Sequence, residues 1–185
     1  MPAKYKTISY SGTESYRYVE PLIYKGKDVL ISSPYIDRHY ADFIVRNSRG
    51  KRIHILASSM DSEARRHIHS RPVLPVVAAL MALASAGFLL YALRVYLLLG
   101  IDTAAMILFV YATVIFWKRT PNIKIRTPTS FVHAKMYVTE SAAAYGSANL
   151  TYRGMHRNVE HLEVTEDPEK IENLKKQFWS IWGMA

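Results

Sequence analysis

Cysteine is absent from this sequence, which excludes disulfide bonds and thiolate zinc sites but says little about the compartment. The first twelve residues have no apolar core, so they do not resemble a secretory signal peptide. Linkers rich in glycine or proline and internal repeats are also absent. The length of 185 residues is typical of one domain.

Charge is missing from one long segment of the chain. Residues 72–117 contain only two formal charges, Arg94 and Asp102. An apolar run of about 20 residues is long enough to cross a bilayer as a helix, and this segment lacks the polar face that soluble core helices usually keep. We therefore predict a transmembrane helical hairpin over 72–117, with the reversal near Arg94–Asp102, Gly100 as the helix breaker and Asp102 at the tip. A buried helical hairpin in a soluble core is the alternative.

Basic residues flank the apolar segment on both sides. A hairpin places both flanks on the same side of the membrane, and the positive-inside tendency predicts that this side is cytoplasmic. We therefore expect an integral membrane protein whose remaining segments and both termini are cytoplasmic. Small residues in the first helix would let the second approach closely. The basic flanking residues are Arg65, Arg66, Arg71, Lys118, Arg119, Lys124 and Arg126, and the small residues are Ala82, Ala84, Ala86 and Gly87.

Outside the apolar segment, hydrophobic spacing predicts a mixed α/β fold. Residues 1–71 and 118–185 carry net charges of +6 and +3, and we expect them to fold together as one domain interrupted by the hairpin. This basic excess suits an anionic partner, either nucleic acid or an anionic membrane surface, or is simply a solvated surface. The predicted strands are 28–34, 51–57, 123–127, 131–139, 142–145 and 159–164, and the predicted helices are 14–24, 36–47 and 168–182.

One segment near the C-terminus contains residues suited to phosphodiester chemistry. His133 and Lys135 are two positions apart on a predicted strand, so both side chains face one way. The histidine can act as a nucleophile and the lysine can neutralise charge on phosphoryl oxygens. Downstream, Gly146 permits a tight turn, while Ser147 and Asn149 supply short neutral polar groups. A His-x-Lys pair alone is a weak signal, and the order and spacing of all these pieces make it specific.

Together these pieces resemble the phospholipase D superfamily, whose motif is H-x-K-x4-D followed after about six residues by G-S-x-N. The matching residues here are His133-Ala134-Lys135, Glu140 and Gly146-Ser147-Ala148-Asn149. Leu150-Thr151, Asn158-Val159-Glu160, the upstream ISSPYI and the later RGKRIHIL are also similar to the family. Two departures are that Glu140 replaces the usual Asp and that the following spacer is one residue short. The resemblance implies a phospholipase D-like α/β sandwich with a mixed central sheet.

The resemblance also implies a mechanism. Family enzymes place two motif copies around one active site, whereas this chain has one copy, so the expected enzyme is a symmetric homodimer with both His133 residues at the two-fold axis. One His133 would form a phosphohistidine and the partner's His133 would protonate the leaving alcohol. Lys135 and Asn149 would hold the non-bridging oxygens, and Ser147 would support the turn or the oxyanion. Glu160 would orient His133 by accepting its second ring N–H.

Several further residues have weaker assignments. The resemblance implies that Glu140 is structural rather than chemical, and it implies neither a metal nor another cofactor. Arg153 and Arg157 are candidates for phosphate binding, together with the backbone at Gly146. His156 and His161 flank Glu160, and we expect them at the surface or at an edge, with substrate contact as the alternative. All three residues lie in the sequence MHRNVEHLE, residues 155–163.

Three functions are compatible with the sequence. The first is hydrolysis of a phospholipid phosphodiester or phosphatidyl transfer, favoured because the hairpin would hold the site close to lipid headgroups. The second is a membrane-tethered nuclease, which the net charge of +9 also suits. The third is a catalytically inactive membrane scaffold, against which the intact His133, Lys135, Asn149 and Glu160 argue.

Overall fold

The computed structural model describes residues 5–60, 62–69, 73–93, 96–118 and 122–185. The chain forms two compact units. One unit comprises Met1–His69 with Pro121–Ala185, and the other comprises Ser70–Thr120. Residues 71 and 72, where the predicted boundary falls, lie outside the described residues.

The first unit is built on a seven-stranded sheet. In chain order the strands are β1 (Thr7–Gly12), β2 (Asp28–Ser32), β3 (Tyr35–Ile36), β4 (Arg52–Leu56), β5 (Ser59–Met60), β6 (Asn122–Arg126), β7 (Met136–Val138), β8 (Ala143–Gly146) and β9 (Glu160–Thr165). The main sheet has the order β1-β9-β8-β7-β2-β4-β6. Strands β2, β4 and β6 are parallel and the other pairings are antiparallel, so the predicted mixed sheet is confirmed. Strands β3 and β5 form a separate parallel pair.

Helices of the first unit cover both faces of this sheet, and the second unit contributes further helices. In chain order they are α1 (Tyr16–Lys25), α2 (Arg38–Arg46), α3 (Ser62–His69), α4 (Val73–Ala92), α5 (Tyr96–Lys118), α6 (Tyr152–His156) and α7 (Pro168–Gly183). Helix α2 begins where the Asp37 carboxylate accepts the backbone N–H of Tyr40 at 3.0 Å. Helix α7 begins in the same way at Asp167, with Pro168 in the first turn. Buried residues of α1 and α2 pack in one core cluster, and those of α7 pack in a second.

Most of the predicted elements of this unit are present, with ends that differ by two residues or fewer. The prediction of one strand over 131–139 was wrong, because β7 spans only Met136–Val138. The physical reason is that Val132 pairs with a side chain instead of a strand. Its backbone N–H donates to Ser58 Oγ at 3.0 Å, and that hydroxyl donates to the Val132 carbonyl at 3.3 Å. His133 and Lys135 therefore lie in an irregular segment just before β7.

The second unit consists of two apolar helices that pack against each other. Helix α4 ends at Ala92 and α5 begins at Tyr96, so Gly100 and Asp102 both lie inside α5. The predictions that Gly100 breaks the helix and that Asp102 lies at the tip were therefore wrong. A Cβ atom on Gly87 would lie 2.7 Å from Asp102 Oδ2. The missing side chain of Gly87 thus makes room for a carboxylate on the facing helix, as predicted for the small residues of this helix.

Among the residues that the structure describes, none of the helices combines the length and the hydropathy of a membrane span. Two of the predicted basic flanking residues, Arg71 and Arg119, lie outside the described residues. The side chains of Arg66 and Lys118 also lie outside the described part of the chain.

Candidate active site

Strand directions bring the motif residues to one edge of the main sheet. In the β7–β8 pair Met136 lies opposite Tyr145, so the start of β7 and the end of β8 share an edge. In the β8–β9 pair Gly146 lies opposite Leu162, which places the start of β9 there too. Strand β2 also ends at this edge, because Ser32 pairs with Met136. The motif residues lie at these strand ends or just beyond them: His133, Lys135, Gly146, Ser147, Asn149 and Glu160.

Two serine hydroxyls hold the backbone around His133. Ser58 binds both backbone groups of Val132, and Ser32 Oγ donates to the Ala134 carbonyl at 3.2 Å. These bonds fix the residues on either side of His133 while its side chain stays exposed. Sequence reasoning gave neither serine a role, because a hydroxyl at the end of a buried strand gives no signal beyond its position.

Lys135 lies against His133. Its Nζ is 3.2 Å from Nδ1 and 3.4 Å from Nε2 of the imidazole, and it donates to the His133 carbonyl at 2.8 Å. Lys135 is only 7% exposed. Burial lowers the pKa of the Lys135 ammonium below its ordinary value, and the nearby charge of Glu160 opposes this effect only in part. An exposed imidazole and a buried cation therefore stand side by side.

Glu160 is buried and is held by residues of its own chain. Ser147 Oγ donates to Glu160 Oε2 at 2.5 Å, and Asn158 Nδ2 donates to Oε1 at 3.2 Å. The same Ser147 oxygen accepts the backbone N–H of His161 at 2.9 Å. Within the described parts of one chain, Glu160 makes no hydrogen bond to the His133 ring. The structure thus brings Ser147, Asn158 and Glu160 together, and the expected bond from His133 to Glu160 is not formed inside one chain.

Gly146 is required where β8 and β9 meet. Its φ is +158°, and a Cβ atom built on it would lie 2.0 Å from the His161 carbonyl oxygen. Its backbone N–H donates to the Lys135 carbonyl at 3.1 Å, and the next N–H, of Ser147, donates to the His161 carbonyl at 2.9 Å. Gly146 thus joins the Lys135 segment to the Glu160 segment through the backbone.

Asn149 has unused hydrogen-bonding capacity. Its Oδ1 is buried and accepts no hydrogen bond from the residues that the structure describes. Both neighbours are fixed, because Ser33 Oγ accepts the Leu150 N–H at 2.9 Å and Tyr137 donates to the Ala148 carbonyl at 2.8 Å. A buried polar atom without a partner is uncommon and often marks a place where a ligand binds.

The two candidate arginines are exposed and less closely tied to the site. Arg153 lies in α6 and Arg157 follows that helix, and both side chains face solvent. Within the described residues, neither forms a hydrogen bond or an ion pair with the motif side chains. Their placement suits a positively charged surface that attracts an anionic substrate, rather than side chains already positioned against the motif residues.

The two histidines that flank Glu160 have different surroundings. His161 is exposed as predicted, and its Nδ1 lies 2.9 Å from Ser11 Oγ. His156 was expected at the surface or an edge, but it is half-buried between two tyrosine rings, those of Tyr16 and Tyr152, at centroid distances of 4.4 and 4.7 Å. Its Nε2 also lies 3.2 Å from the Tyr40 hydroxyl. Tyr152 lies one helical turn before His156, whereas Tyr16 and Tyr40 come from distant parts of the sequence, so local spacing gave no sign of the last two.

Glu140 lies at the other end of β7. Its carboxylate accepts the backbone N–H of Lys27 at 3.1 and 3.2 Å and that of Asp28 at 3.3 Å. Burial raises the pKa of Glu140, but the backbone N–H groups, including its own, outweigh this effect and the net pKa is lowered. Glu140 thus anchors the loop before β2 to the β7–β8 turn and lies apart from His133.

The sequence matches one protein-family model, described as "Cardiolipin synthase, PLD-like domain", over residues 22–182. A comparison with curated proteins gives no match. Two solved structures of similar length share the fold. NucT from Helicobacter pylori is 14% identical with a TM-score of 0.56, over 98% of each chain. Nuc from Salmonella typhimurium, described as a phospholipase D family member, is 16% identical with a TM-score of 0.54, over 97% of this chain and 96% of that one.

A third similarity concerns only part of a larger protein. The polyphosphate kinase from Porphyromonas gingivalis is 10% identical with a TM-score of 0.51, over 98% of this chain but 26% of that one. At these identities the three structures show a common fold, whereas the family match covers most of the sequence and includes the whole motif segment.

Proposed function

The chain belongs to the phospholipase D superfamily, whose members are phosphodiesterases, and we propose that it hydrolyses or transfers a phospholipid phosphodiester while anchored in a membrane. The observation that carries this proposal is the exposed imidazole of His133 with the buried Lys135 ammonium 3.2 Å away. A phosphoryl group bound to the imidazole would place its non-bridging oxygens beside that fixed positive charge.

The proposed reaction has two steps. In the first, a ring nitrogen of His133 attacks phosphorus, a P–N bond forms, and the P–O bond to the leaving alcohol breaks while the partner's His133 gives that oxygen a proton. In the second, the partner's His133 takes a proton from water or an acceptor alcohol. The resulting oxygen nucleophile forms a new P–O bond and the P–N bond to His133 breaks. The acceptor decides between hydrolysis and transfer.

A homodimer follows from counting catalytic groups. The reaction needs one nucleophile and a separate proton donor, and each chain contains a single H-x-K motif followed by a G-S-x-N turn. A two-fold axis between two copies would bring both His133 rings to one phosphate. Within one chain Glu160 accepts hydrogen bonds from Ser147 and Asn158, so its proposed role in the shared site is to hold these two residues in place.

The other motif residues would bind the substrate. Lys135 and Asn149 would hold the non-bridging oxygens, Lys135 through its ammonium group and Asn149 through the N–H groups of its side-chain amide. Ser147, bonded to Glu160, would hold the turn next to the oxyanion. Arg153 and Arg157 would attract the anionic substrate from the surface.

The membrane proposal rests on the outward-facing side chains of α4 and α5. These helices are 20 and 23 residues long, and large apolar side chains on them are exposed. Examples are Phe88, Leu89, Ile107 and Leu108. A helical pair with apolar residues on its outer side needs an apolar environment, and lipid provides one. We therefore keep residues 72–117 as the proposed membrane hairpin, with 1–71 and 118–185 as one catalytic domain on the cytoplasmic side.

A membrane-tethered nuclease is the second candidate. The net charge of +9 suits a nucleic-acid backbone as well as an anionic bilayer, and the chemistry at His133 would be the same. The two functions differ in the substrate and not in the mechanism, so a direct comparison of substrates separates them.

The test uses the full chain purified in mild detergent. Labelled phospholipid and labelled single-stranded nucleic acid are offered to wild type, to His133→Asn and to His39→Asn, a control at an exposed histidine of α2. We expect phospholipid turnover by wild type and by the control, with a loss of at least about a hundredfold in His133→Asn. Cleavage of nucleic acid alone, lost in His133→Asn, would select the nuclease. Equal turnover by wild type and His133→Asn would leave only the inactive scaffold.

The same variant tests the shared site. When wild type and His133→Asn are co-expressed in equal amounts, random pairing leaves roughly one quarter of the dimers with two intact histidines. Activity per chain should therefore fall to about a quarter of the wild-type value under a shared-site mechanism. A fall to one half would mean that each chain works alone.

A further inference from the structure

Two exposed aromatic side chains next to His133 have no part in the proposed mechanism. Tyr35 is 48% exposed and Phe131 is 58% exposed. Their ring centroids are 6.1 Å apart, and the Phe131 ring is 6.0 Å from the His133 ring. Together they form an aromatic surface that ends at the catalytic imidazole, and we call it the Tyr35–Phe131 surface.

The backbone under this surface is well held. Tyr35 lies in β3, opposite Ser59 of β5, and its carbonyl accepts a hydrogen bond from Ser33 Oγ at 2.8 Å. Phe131 directly precedes Val132, which Ser58 binds through both backbone groups. Large apolar side chains on a fixed backbone, exposed beside a reactive group, are typical of a binding surface.

The course of the chain indicates which partner this surface meets. Strand β5, which pairs with the strand that carries Tyr35, is separated from the apolar helix α4 only by α3 and short connections. Helix α3 has 8 residues, which corresponds to about 12 Å of helix. If α4 lies in a bilayer, the strand pair that holds Tyr35 is tethered to that bilayer by a short segment.

We propose that the Tyr35–Phe131 surface binds the acyl chains of a phospholipid whose phosphate lies at His133. This inference rests on the proposed function and adds the part of the substrate that is recognised beside the phosphate. A nucleic-acid base is the rival occupant. The planes of Tyr35 and Phe131 are tilted by 53°, and those of Phe131 and His133 by 44°, so successive rings do not form a flat platform for stacked bases.

Kinetics with two substrates test the proposal. The first is phosphatidylglycerol in mixed vesicles with phosphatidylcholine, and the second is glycerophosphoglycerol, which has the same phosphodiester without acyl chains. For Tyr35→Ala and Phe131→Ala we expect the apparent KM for vesicle lipid to rise roughly tenfold, because apolar contact is lost. Turnover of glycerophosphoglycerol should stay at the wild-type level. The control is Tyr24→Ala, since Tyr24 is 62% exposed and lies in α1 outside the site.

A binding measurement separates this proposal from the activity. The chain has no cysteine, so single cysteines introduced as Phe131→Cys, Tyr35→Cys, Leu89→Cys and Tyr24→Cys can each take one polarity-sensitive fluorophore. The labelled full-length proteins carry His133→Asn and are placed in the same vesicles. We expect blue-shifted emission at positions 131, 35 and 89, and none at position 24.

Each alternative result overturns a different statement. A shift at position 89 without one at positions 35 and 131 refutes the lipid surface and leaves the membrane hairpin standing. No shift at any position refutes both. If Tyr35→Ala and Phe131→Ala impair cleavage of a single-stranded oligonucleotide and leave vesicle lipid turnover unchanged, the surface binds bases and the lipid assignment is wrong.

Discussion

Replacing Gly146 by alanine is the perturbation for which the structure makes the sharpest prediction. The new Cβ would lie 2.0 Å from the His161 carbonyl oxygen and 3.0 Å from the Leu162 Cα. Both atoms belong to the backbone of β9, so no flexible side chain can move aside. We therefore expect β8 and β9 to separate by about 1 Å at the edge that carries the site, since real Cβ contacts essentially never fall below 3.0 Å.

The cost can be worked out from the bonds at this point. Separation weakens the bond from the Ser147 N–H to the His161 carbonyl and the bond from the His161 N–H to Ser147 Oγ, both 2.9 Å long. Each is worth about 1 kcal/mol net, and alanine at this φ adds about 1–3 kcal/mol of backbone strain. We expect Gly146→Ala to lower the free energy of unfolding by about 3–5 kcal/mol, a large part of the roughly 5–15 kcal/mol that stabilises a typical domain.

The assay is urea unfolding of the full chain in mild detergent, followed by circular dichroism. Gly183→Ala is the matched control, because an added Cβ at Gly183 meets nothing within 4 Å, and it should unfold like wild type. Phosphodiester turnover should fall in Gly146→Ala, since the Ser147–Glu160 bond moves with the strands. An unfolding free energy within about 1 kcal/mol of wild type, with turnover retained, would refute the reasoning about this contact.

Two further predictions use the pKa shifts. Burial lowers the pKa of Lys135 below its ordinary 10.5, so turnover should begin to decline at an alkaline pH below 10.5. In Lys135→Arg the side chain stays charged, so this decline should be absent from the pH–rate profile. A profile unchanged by Lys135→Arg would assign the decline to another group. The backbone N–H groups hold the pKa of Glu140 low, so its contribution to stability is present above its ordinary 4.5 and is lost as the pH falls through the lowered value. Glu140→Gln should therefore lower the free energy of unfolding in urea by about 1 kcal/mol or less at pH 7 and leave it unchanged in strong acid. Turnover at pH 7 should stay at the wild-type level, and a loss of turnover would place Glu140 in the chemistry.

The spacing of hydrophobic residues along the sequence predicted most of the main sheet, because its strands are short apolar runs bounded by turns. The alternation over residues 131–139 was misleading, since alternation records which side chains are buried and not what the backbone pairs with. Only the folded structure shows that Ser58 takes the place of a neighbouring strand at Val132. The helix breaker was misassigned. Gly100 resembles a helix breaker in the sequence, but α5 continues through it, because one glycine costs only about 1 kcal/mol relative to alanine within a helix of 23 residues.

At the site, the motif predicted which residues meet, because strand order converts spacing along the chain into one shared edge. The resemblance includes Ser32 and Asn158 in its matching segments but assigns them no role, and it does not include Ser58. Ser32, Ser58 and Asn158 act through one or two hydrogen bonds each, and polar residues of this kind are common at strand ends throughout any sequence. Sequence spacing is also silent on which chain a contact belongs to. The motif therefore predicts a bond from His133 to Glu160, whereas within one chain Ser147 and Asn158 donate to Glu160 instead.

The two departures from the family motif both fall at the far end of the β7–β8 hairpin. Glu140 lies in the turn that joins Thr139 to Ala142, whose backbones pair at 2.9 Å, and its carboxylate binds the loop before β2. A longer acid and a spacer shorter by one residue change the reach and length of this turn. The site end of the hairpin is set instead by the bond from the Gly146 N–H to the Lys135 carbonyl, which continues the register of Met136 with Tyr145. A one-residue change in the turn leaves that register intact as long as the two strands are still joined by a hydrogen-bonded turn. The bond from the Thr139 N–H to the Ala142 carbonyl shows that they are. The departures therefore alter the support of the hairpin and not the placement of His133, Lys135 and Ser147.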